Sequence, residues 1–166
     1  DGMVSLRSDP SRKCGIVEAM GYGRVPSLEV EASVNPKLVK QLRYTRLSHT
    51  AVLAEVKVDE DLGTIEVSRI VSAVAAGRIL NPKTARSQIM GGIVWGIGMA
   101  LEEASLMDQK FGRFMNHNLA EYHVPVNADV QSIEVEFVEE NDQIFSPLGG
   151  RGIGEIGITG IAAAVA

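Results

Sequence analysis

Three features predict an α+β fold for this 166-residue chain. Residues 51–74 alternate apolar and polar side chains on either side of a turn. A helix-start signal at Asn81-Pro82 opens a long stretch of helical periodicity. Strands and helices do not follow one another in regular βαβ order. The expected architecture is a set of mixed β hairpins packed with a long glycine-rich helix and a C-terminal helix. Hydrophobic residues at 45% and charged residues at 22% exclude a disordered or collagen-like chain. Lys plus Arg is 16 against 21 for Asp plus Glu, a net −5, which argues against nucleic acid as a partner. Cys14 stands alone, so neither an internal disulfide nor a multi-thiolate metal site is available. The longest apolar run, 89–101, is shorter than the roughly 20 residues of a bilayer span, and no membrane partner is expected. No signal peptide is visible after Asp1, and the last residues stop inside an apolar run. The ends therefore read as cut and the chain as a fragment.

Val4–Leu6 predicts a short strand. Ser8-Asp9-Pro10 joins an oxygen-bearing cap to a proline suited to the first helical position, predicting a helix to about Met20, stopped at Gly21. Leu28–Val34 alternates and predicts a strand, while Asn35–Leu47 is basic and patternless. Val52, Ala54, Val56 and Val58 share one face of the next strand. Asp59-Glu-Asp-Leu-Gly63 is a turn, and Thr64–Val74 returns as a β-branched strand through Ile65 and Val67, broken at Gly77.

The Asn81-Pro82 helix is expected to run to about Glu102, with Ile89, Met90, Ile93, Val94, Ile97 and Leu101 at helical spacing. Gly91, Gly92, Gly96 and Gly98 inside it each cost about 1 kcal/mol relative to alanine. Some close approach, by backbone, cofactor or another helix, must offset them. Leu106–Phe114 predicts a shorter hairpin around Gln109–Gly112, and Ile133–Val138 a strand with its glutamates outward. Ser146–Gly154 is a glycine loop, from which an apolar helix over Ile153–Ala166 is expected to start.

That loop, Pro147-Leu-Gly-Gly-Arg-Gly-Ile-Gly-Glu-Ile-Gly157, contains a formal G-x-G-x-x-G. A dinucleotide site needs a hydrophobic strand before this pattern and an acid about 20 residues after it. Here Asn141–Pro147 precedes it, and its acid lies inside the turn, where it would repel a pyrophosphate. A Rossmann site does not fit. Glu155 is the only charge from Gly152 to Ala166. Burial would raise its pKa and a helix N-terminus would lower it. On the residues alone two readings stand: a general base, or a first-turn acid satisfying backbone N–H groups. Arg151 likewise either positions an anion or faces solvent.

Four segments in order resemble the xanthine dehydrogenase and aldehyde oxidase type molybdenum hydroxylases. They are Ala54-Glu-Val-Lys-Val-Asp59 with Gly63, Gly77-Arg-Ile-Leu-Asn-Pro82, Gln88-Ile-Met-Gly-Gly-Ile-Val-Trp-Gly-Ile-Gly-Met-Ala-Leu-Glu-Glu103, and Gly150-Arg-Gly-Ile-Gly-Glu155. Tyr122 and Pro125 fall where that family has a tyrosine and a proline. The similarity runs from about Leu47 to the end and looks closest to the bacterial large subunit; residues 1–46 add little to it. The whole of 1–166 then reads as the C-terminal portion of one molybdenum-cofactor-binding region.

The resemblance implies a molybdenum–molybdopterin cofactor, in its cytosine dinucleotide form in the bacterial branch, with iron–sulfur and FAD groups on partner subunits. It implies an aldehyde or N-heterocycle substrate oxidised with water-derived oxygen. Glu155 would be the catalytic base, taking a proton from a molybdenum-bound water or hydroxide. Gln88 would hydrogen-bond the pterin, Gly152 and Gly154 would let backbone approach the metal site, and no side chain here is a metal ligand. Two departures are Ala75, where many members carry an acid, and Ile156, where proline is frequent. The family's other cofactor loops have no match, so the chain by itself is expected to be inactive. Related bacterial enzymes occur in cytoplasm and periplasm, so the compartment stays open. A different class of reading is a non-catalytic structural or subunit-assembly fragment that binds no complete cofactor alone.

Other polar residues carry less. His117, Glu121 and His123 lack the spacing of a helix-face metal site, and His49 has no partner in sequence. Asp59–Gly63 is no calcium loop, since Ile70 stands where an EF-hand needs a bidentate glutamate. Cys14 is expected inside the first helix, and Gly92-x-x-x-Gly96 reads as close helix packing.

Overall fold

The computed structural model describes residues 2–33, 35, 39, 42–45, 47–142 and 144–166. The chain divides into two compact units, Asp1–Asn35 and Pro36–Ala166.

In the first unit, β1 (Met3–Leu6) pairs antiparallel with β2 (Asp9–Gly15), and α1 (Ile16–Gly23) follows. The helix expected from Ser8 thus begins only at Ile16, and Cys14 lies in a strand opposite Val4. Asp9 does supply a side-chain oxygen, but to the N–H and hydroxyl of Ser11, at 3.2 and 2.6 Å, in the entry to β2. Pro10 sits beside the hairpin turn at the start of that strand, where a missing donor is tolerated. Cap-plus-proline is also turn chemistry, and here β1 captures the segment. α1 continues through Gly21 and ends at Arg24, the one described non-glycine residue in the left-handed region. The strand expected over Leu28–Val34 is not formed: 28–33 pair with no strand, and Val34 lies outside the described residues. Alternation makes a strand only where a sheet edge accepts its hydrogen bonds.

The second unit is built on a three-stranded sheet with residues 64–75 at its centre, flanked by residues 49–59 and 132–137. β3 (His49–Asp59) and β4 (Thr64–Ala75) form the expected hairpin; the Asp59 carboxylate takes the N–H groups of Asp61 and Leu62, and Gly63 has φ 66°. Register shifts between Glu55 and Val56, leaving Ser68 as the extra, unpaired residue. This bulge puts Val67 on the same buried face as Ile70 and Val74, which strict alternation would have split. β7 (Ser132–Phe137) adds parallel to β4, from Arg69↔Ser132 to Val74↔Phe137.

The crossover between β4 and β7 carries α2 (Pro82–Leu101) and a small hairpin, β5 (Met107–Asp108) with β6 (Arg113–Phe114). The Asn81 side chain accepts the N–H groups of Lys83 and Thr84 at 3.1 and 3.2 Å, so the start signal is used as expected. Ile89, Ile93 and Ile97 of α2 join Ile70, Val74, Val135 and Ile161 in one core. α3 (Ile161–Val165) is much shorter than the helix expected from Ile153. Residues 154–160 are successive turns, ending on Gly160 at φ 84°, because glycines at 154, 157 and 160 supply too little helix propensity for the segment to nucleate early. Among the described residues no helix is long and apolar enough to cross a membrane.

Candidate functional site

The glycine loop is held from below by an ion-pair hub. The Arg151 guanidinium meets the Asp142 carboxylate at 2.8 Å through Nη2 and at 3.1 Å through Nε, and reaches Glu140 at 3.2 Å. It also donates to the Leu47 carbonyl at 3.1 Å. Asp142 accepts the N–H groups of Ile144 and Phe145 as well, and Arg151 together with these donors holds its carboxyl below the usual aspartate value. Glu140 receives the Gly77 N–H at 2.8 Å. Gly77 bridges to Gly150, the Arg78 N–H donates to the Gly149 carbonyl, and the Arg151 N–H donates to Ala76. Gly77 has φ 67°, and a Cβ there would collide with the Gly149 carbonyl oxygen. Arg151 therefore neither faces solvent nor waits for an outside anion; its charge is spent within the chain.

From this hub the loop runs along α2. The Gln88 Nε2 donates to the Gly154 carbonyl at 2.6 Å. One turn further along, a Cβ on Gly92 would lie 2.9 Å from the Gly157 carbonyl carbon and the Ile158 nitrogen. A Cβ on Gly157 would in turn press on the backbone of Ile89. A further turn on, Gly96 leaves room for the Ile161 side chain, and on another side Gly98 admits Pro125. Close approach thus accounts for three of the four helix glycines, and in each case the neighbour is the chain itself. Gly91 alone meets open space. Near Pro125, the Tyr122 hydroxyl donates to Glu103 at 2.6 Å, which raises the phenol pKa.

Gly152, Gly154 and Glu155 are exposed, while the neighbouring Ile153 and Ile156 are half-buried against the core. Among the described residues, no atom beyond the chain neighbours lies within 4 Å of where a Cβ would stand on Gly152 or Gly154, and neither has a positive φ. Nothing among the described residues demands glycine there. Glu155 does not stand at a helix N-terminus, since α3 starts six residues later. A concavity of about 480 Å³ adjoins the loop, with Asn81, Thr84, Gln88, Leu148 and Ile153 in its walls.

Of the residues singled out from sequence, Gln88 and the Gly152–Glu155 loop are brought together, although 66 positions separate Gln88 from Gly154. His117 lies 3.1 Å from the Met115 carbonyl, Glu121 accepts from Asn118, and His123 lines a separate cavity with Glu102 and Asp129. Among the described residues no group of three or more His, Cys, Asp or Glu is placed to hold a metal ion. Sequence reasoning missed Glu140 and Asp142 as the supports of the loop. Their only signal is acidity shortly before an arginine, too common a pattern to single them out.

The profile of the molybdopterin cofactor-binding domain family matches residues 2–131. The chain is 40% identical over 166 residues to the aldehyde oxidoreductase molybdenum-binding subunit PaoC of Escherichia coli K12, covering all of this chain and 22% of that protein. It is 38% identical over 111 residues to the putative xanthine dehydrogenase molybdenum-binding subunit XdhA of the same organism, covering 67% of this chain and 15% of that protein. Among solved structures, quinoline 2-oxidoreductase from Pseudomonas putida 86 aligns with a TM-score of 0.77 at 25% identity, over 99% of this chain and 21% of that one. The aldehyde oxidoreductase of Desulfovibrio desulfuricans aligns with a TM-score of 0.62 at 29% identity, over 71% of this chain and 12% of that one. The chain thus spans about a fifth of the relatives it matches throughout.

Proposed function

Because this chain belongs to the molybdopterin cofactor-binding domain family, among the molybdenum-binding subunits of the xanthine dehydrogenase and aldehyde oxidoreductase group, we propose that it carries the general base of a molybdenum hydroxylase. The base is Glu155, and the substrate class is an aldehyde or an N-heterocycle. The observation that carries this reading is the 2.6 Å bond from Gln88 to the Gly154 carbonyl, which ties the glycine-rich helix to the residue before the carboxylate.

The chain's own residues fit the cofactor. Beyond that one bond, the Gln88 carboxamide has an acceptor oxygen and a second N–H with no partner among the described residues, suited to a heterocycle or phosphate edge. Gly152 and Gly154 present bare backbone with no internal reason to be glycine. When bound, the molybdenum–pterin group supplies the two-electron oxidation of the substrate carbon and the path for those electrons. Glu155 accepts the proton at a carboxylate oxygen. Arg151, Asp142 and Glu140 keep the loop in register, so the carboxylate needs little reorganisation when the reaction begins. The carboxylate is exposed in this chain, and the remainder of the subunit would close over it and exclude water. The cofactor's cytosine dinucleotide form, and partner subunits bearing iron–sulfur and FAD groups, belong to the same proposal. So does the reading of 1–166 as one portion of the cofactor-binding region.

In the complete enzyme, Glu155→Gln is expected to abolish turnover while molybdenum content stays near normal. Retained turnover would remove Glu155 from the chemistry and favour a structural role for the loop.

A further inference from the structure

Gln88 lies in the second turn of α2, a helix fixed by its Asn81 cap and by the burial of Ile89 and Ile93. Its bond is to the carbonyl of the peptide that joins Gly154 to Glu155. A peptide group is planar, so holding that oxygen also sets the direction of the Glu155 N–H and leaves few soft torsions before the Glu155 Cβ. Other restraint on the segment lies mostly upstream of Gly154, where the Ser48 hydroxyl donates to the Gly152 carbonyl at 2.9 Å. Gly152 and Gly154 have no side chains, the Glu155 carboxylate has no hydrogen bond or ion pair among the described residues, and its backbone carbonyl accepts only a 3.1 Å bond from Ile158. Ile153 and Ile156 anchor the loop through apolar contact, which fixes position but tolerates rotation of the intervening peptide planes.

We infer that Gln88 is a positioning residue for Glu155: its Nε2–H sets the peptide plane that presents the carboxylate, while the remaining polar atoms of the same carboxamide face the cofactor. This rests on the reading of Glu155 as the base and adds to it a means of coordination. A side chain shared between cofactor and loop makes seating of the one and presentation of the other a single event. A glutamine can do this because its amide offers two donors and an acceptor in one plane. A carboxylate has no proton to give the carbonyl, and a thioether has no donor and only a weak acceptor.

The test is Gln88→Met in the complete enzyme, which keeps length and removes the donor. Turnover is expected to fall about 100-fold per bound molybdenum, the scale of a small misplacement of a catalytic group, with KM nearly unchanged. Independently of activity, hydrogen exchange of the amides over 154–158 in cofactor-free enzyme is expected to quicken about fivefold, as for the loss of one ordinary hydrogen bond. Exchange elsewhere should be unchanged. Unaltered turnover per molybdenum with lowered molybdenum content would make Gln88 a cofactor ligand only and overturn the inference, as would loosening spread over the whole unit. If the variant takes up no molybdenum, exchange decides: a local change supports the inference and unchanged protection overturns it. Retained turnover in Glu155→Gln would instead strike the underlying reading, and the exchange measurement would still report whether Gln88 holds the loop.

Discussion

Gly92 of α2 and Gly157 of the glycine loop face each other so closely that a Cβ on Gly92 would stand 2.9 Å from the Gly157 carbonyl carbon. Gln88, Gly92 and Gly96, spaced four residues apart on one helix edge, meet Gly154, Gly157 and Ile161 in the same order. This seam sets the height at which Glu155 leaves the fold.

Gly92→Ala is expected to destabilise the protein by about 1–3 kcal/mol, because the added methyl meets backbone that must shift. Gly91→Ala, one residue away and in open space, is expected to stabilise it by about 0.5–1 kcal/mol through helix propensity alone. Urea unfolding of both variants checks the contrast. Equal midpoints would show that the seam is not tight.

Gly154→Ala separates folding from ligand approach. With no atom within 4 Å of the new methyl and no positive φ to strain, stability is expected to change by less than about 0.5 kcal/mol. On the proposed reading, molybdenum content of the complete enzyme is expected to fall, since the methyl would occupy the space proposed for cofactor approach. Metal analysis beside an unfolding curve reads both.

The hub predicts an acid-labile loop. Arg151 and two backbone N–H groups lower the Asp142 pKa in the folded state. The folded state therefore prefers the carboxylate, and the stabilisation is fully present above the ordinary aspartate value. It is lost as pH falls below that value toward the lowered one. Asp142→Asn is expected to flatten the decline of stability below about pH 4, seen in unfolding midpoints against pH. Glu134, lowered by Arg69 across the exposed face of β4 and β7, acts in the same direction, but added salt should weaken it first.

Tyr122 gives a spectroscopic check on the turn beside Gly98. Its hydroxyl donates to Glu103, so the phenol is expected to ionise above its ordinary value of 10.0. The raised folded value favours the neutral phenol, so this contribution to stability is present below pH 10 and lost as pH rises through the folded value. Glu103→Gln should bring the ultraviolet titration of Tyr122 back down. An unchanged titration would show that the bond is not formed in solution.

The elements legible in the sequence are those decided within a few residues. The hairpin of β3 and β4 follows from alternation and a turn closed by Asp59 and Gly63, and α2 follows from an Asn81 cap that serves N–H groups two and three positions away. The helix glycines announced a close neighbour, which three of the four have, and Glu155 announced itself as the only charge from Gly152 to Ala166. Where competing partners existed, local signals failed. Ser8-Asp9-Pro10 has the chemistry of a cap and of a turn, and pairing with β1 chose the turn.

By itself, then, the amino-acid order determined an α+β chain, its central hairpin and its long capped helix, and it singled out the candidate residues proposed for the chemistry, because period, cap and turn are short-range properties. Tertiary structure alone decided that Arg151 is consumed by Asp142 and Glu140, that the last helix waits until Ile161, that Glu155 stands exposed on this chain, and that Gln88 grips the peptide before it. Each of those depends on which groups from distant parts of the chain arrive within hydrogen-bonding or van der Waals range, and such short-range forces leave no periodic trace in sequence.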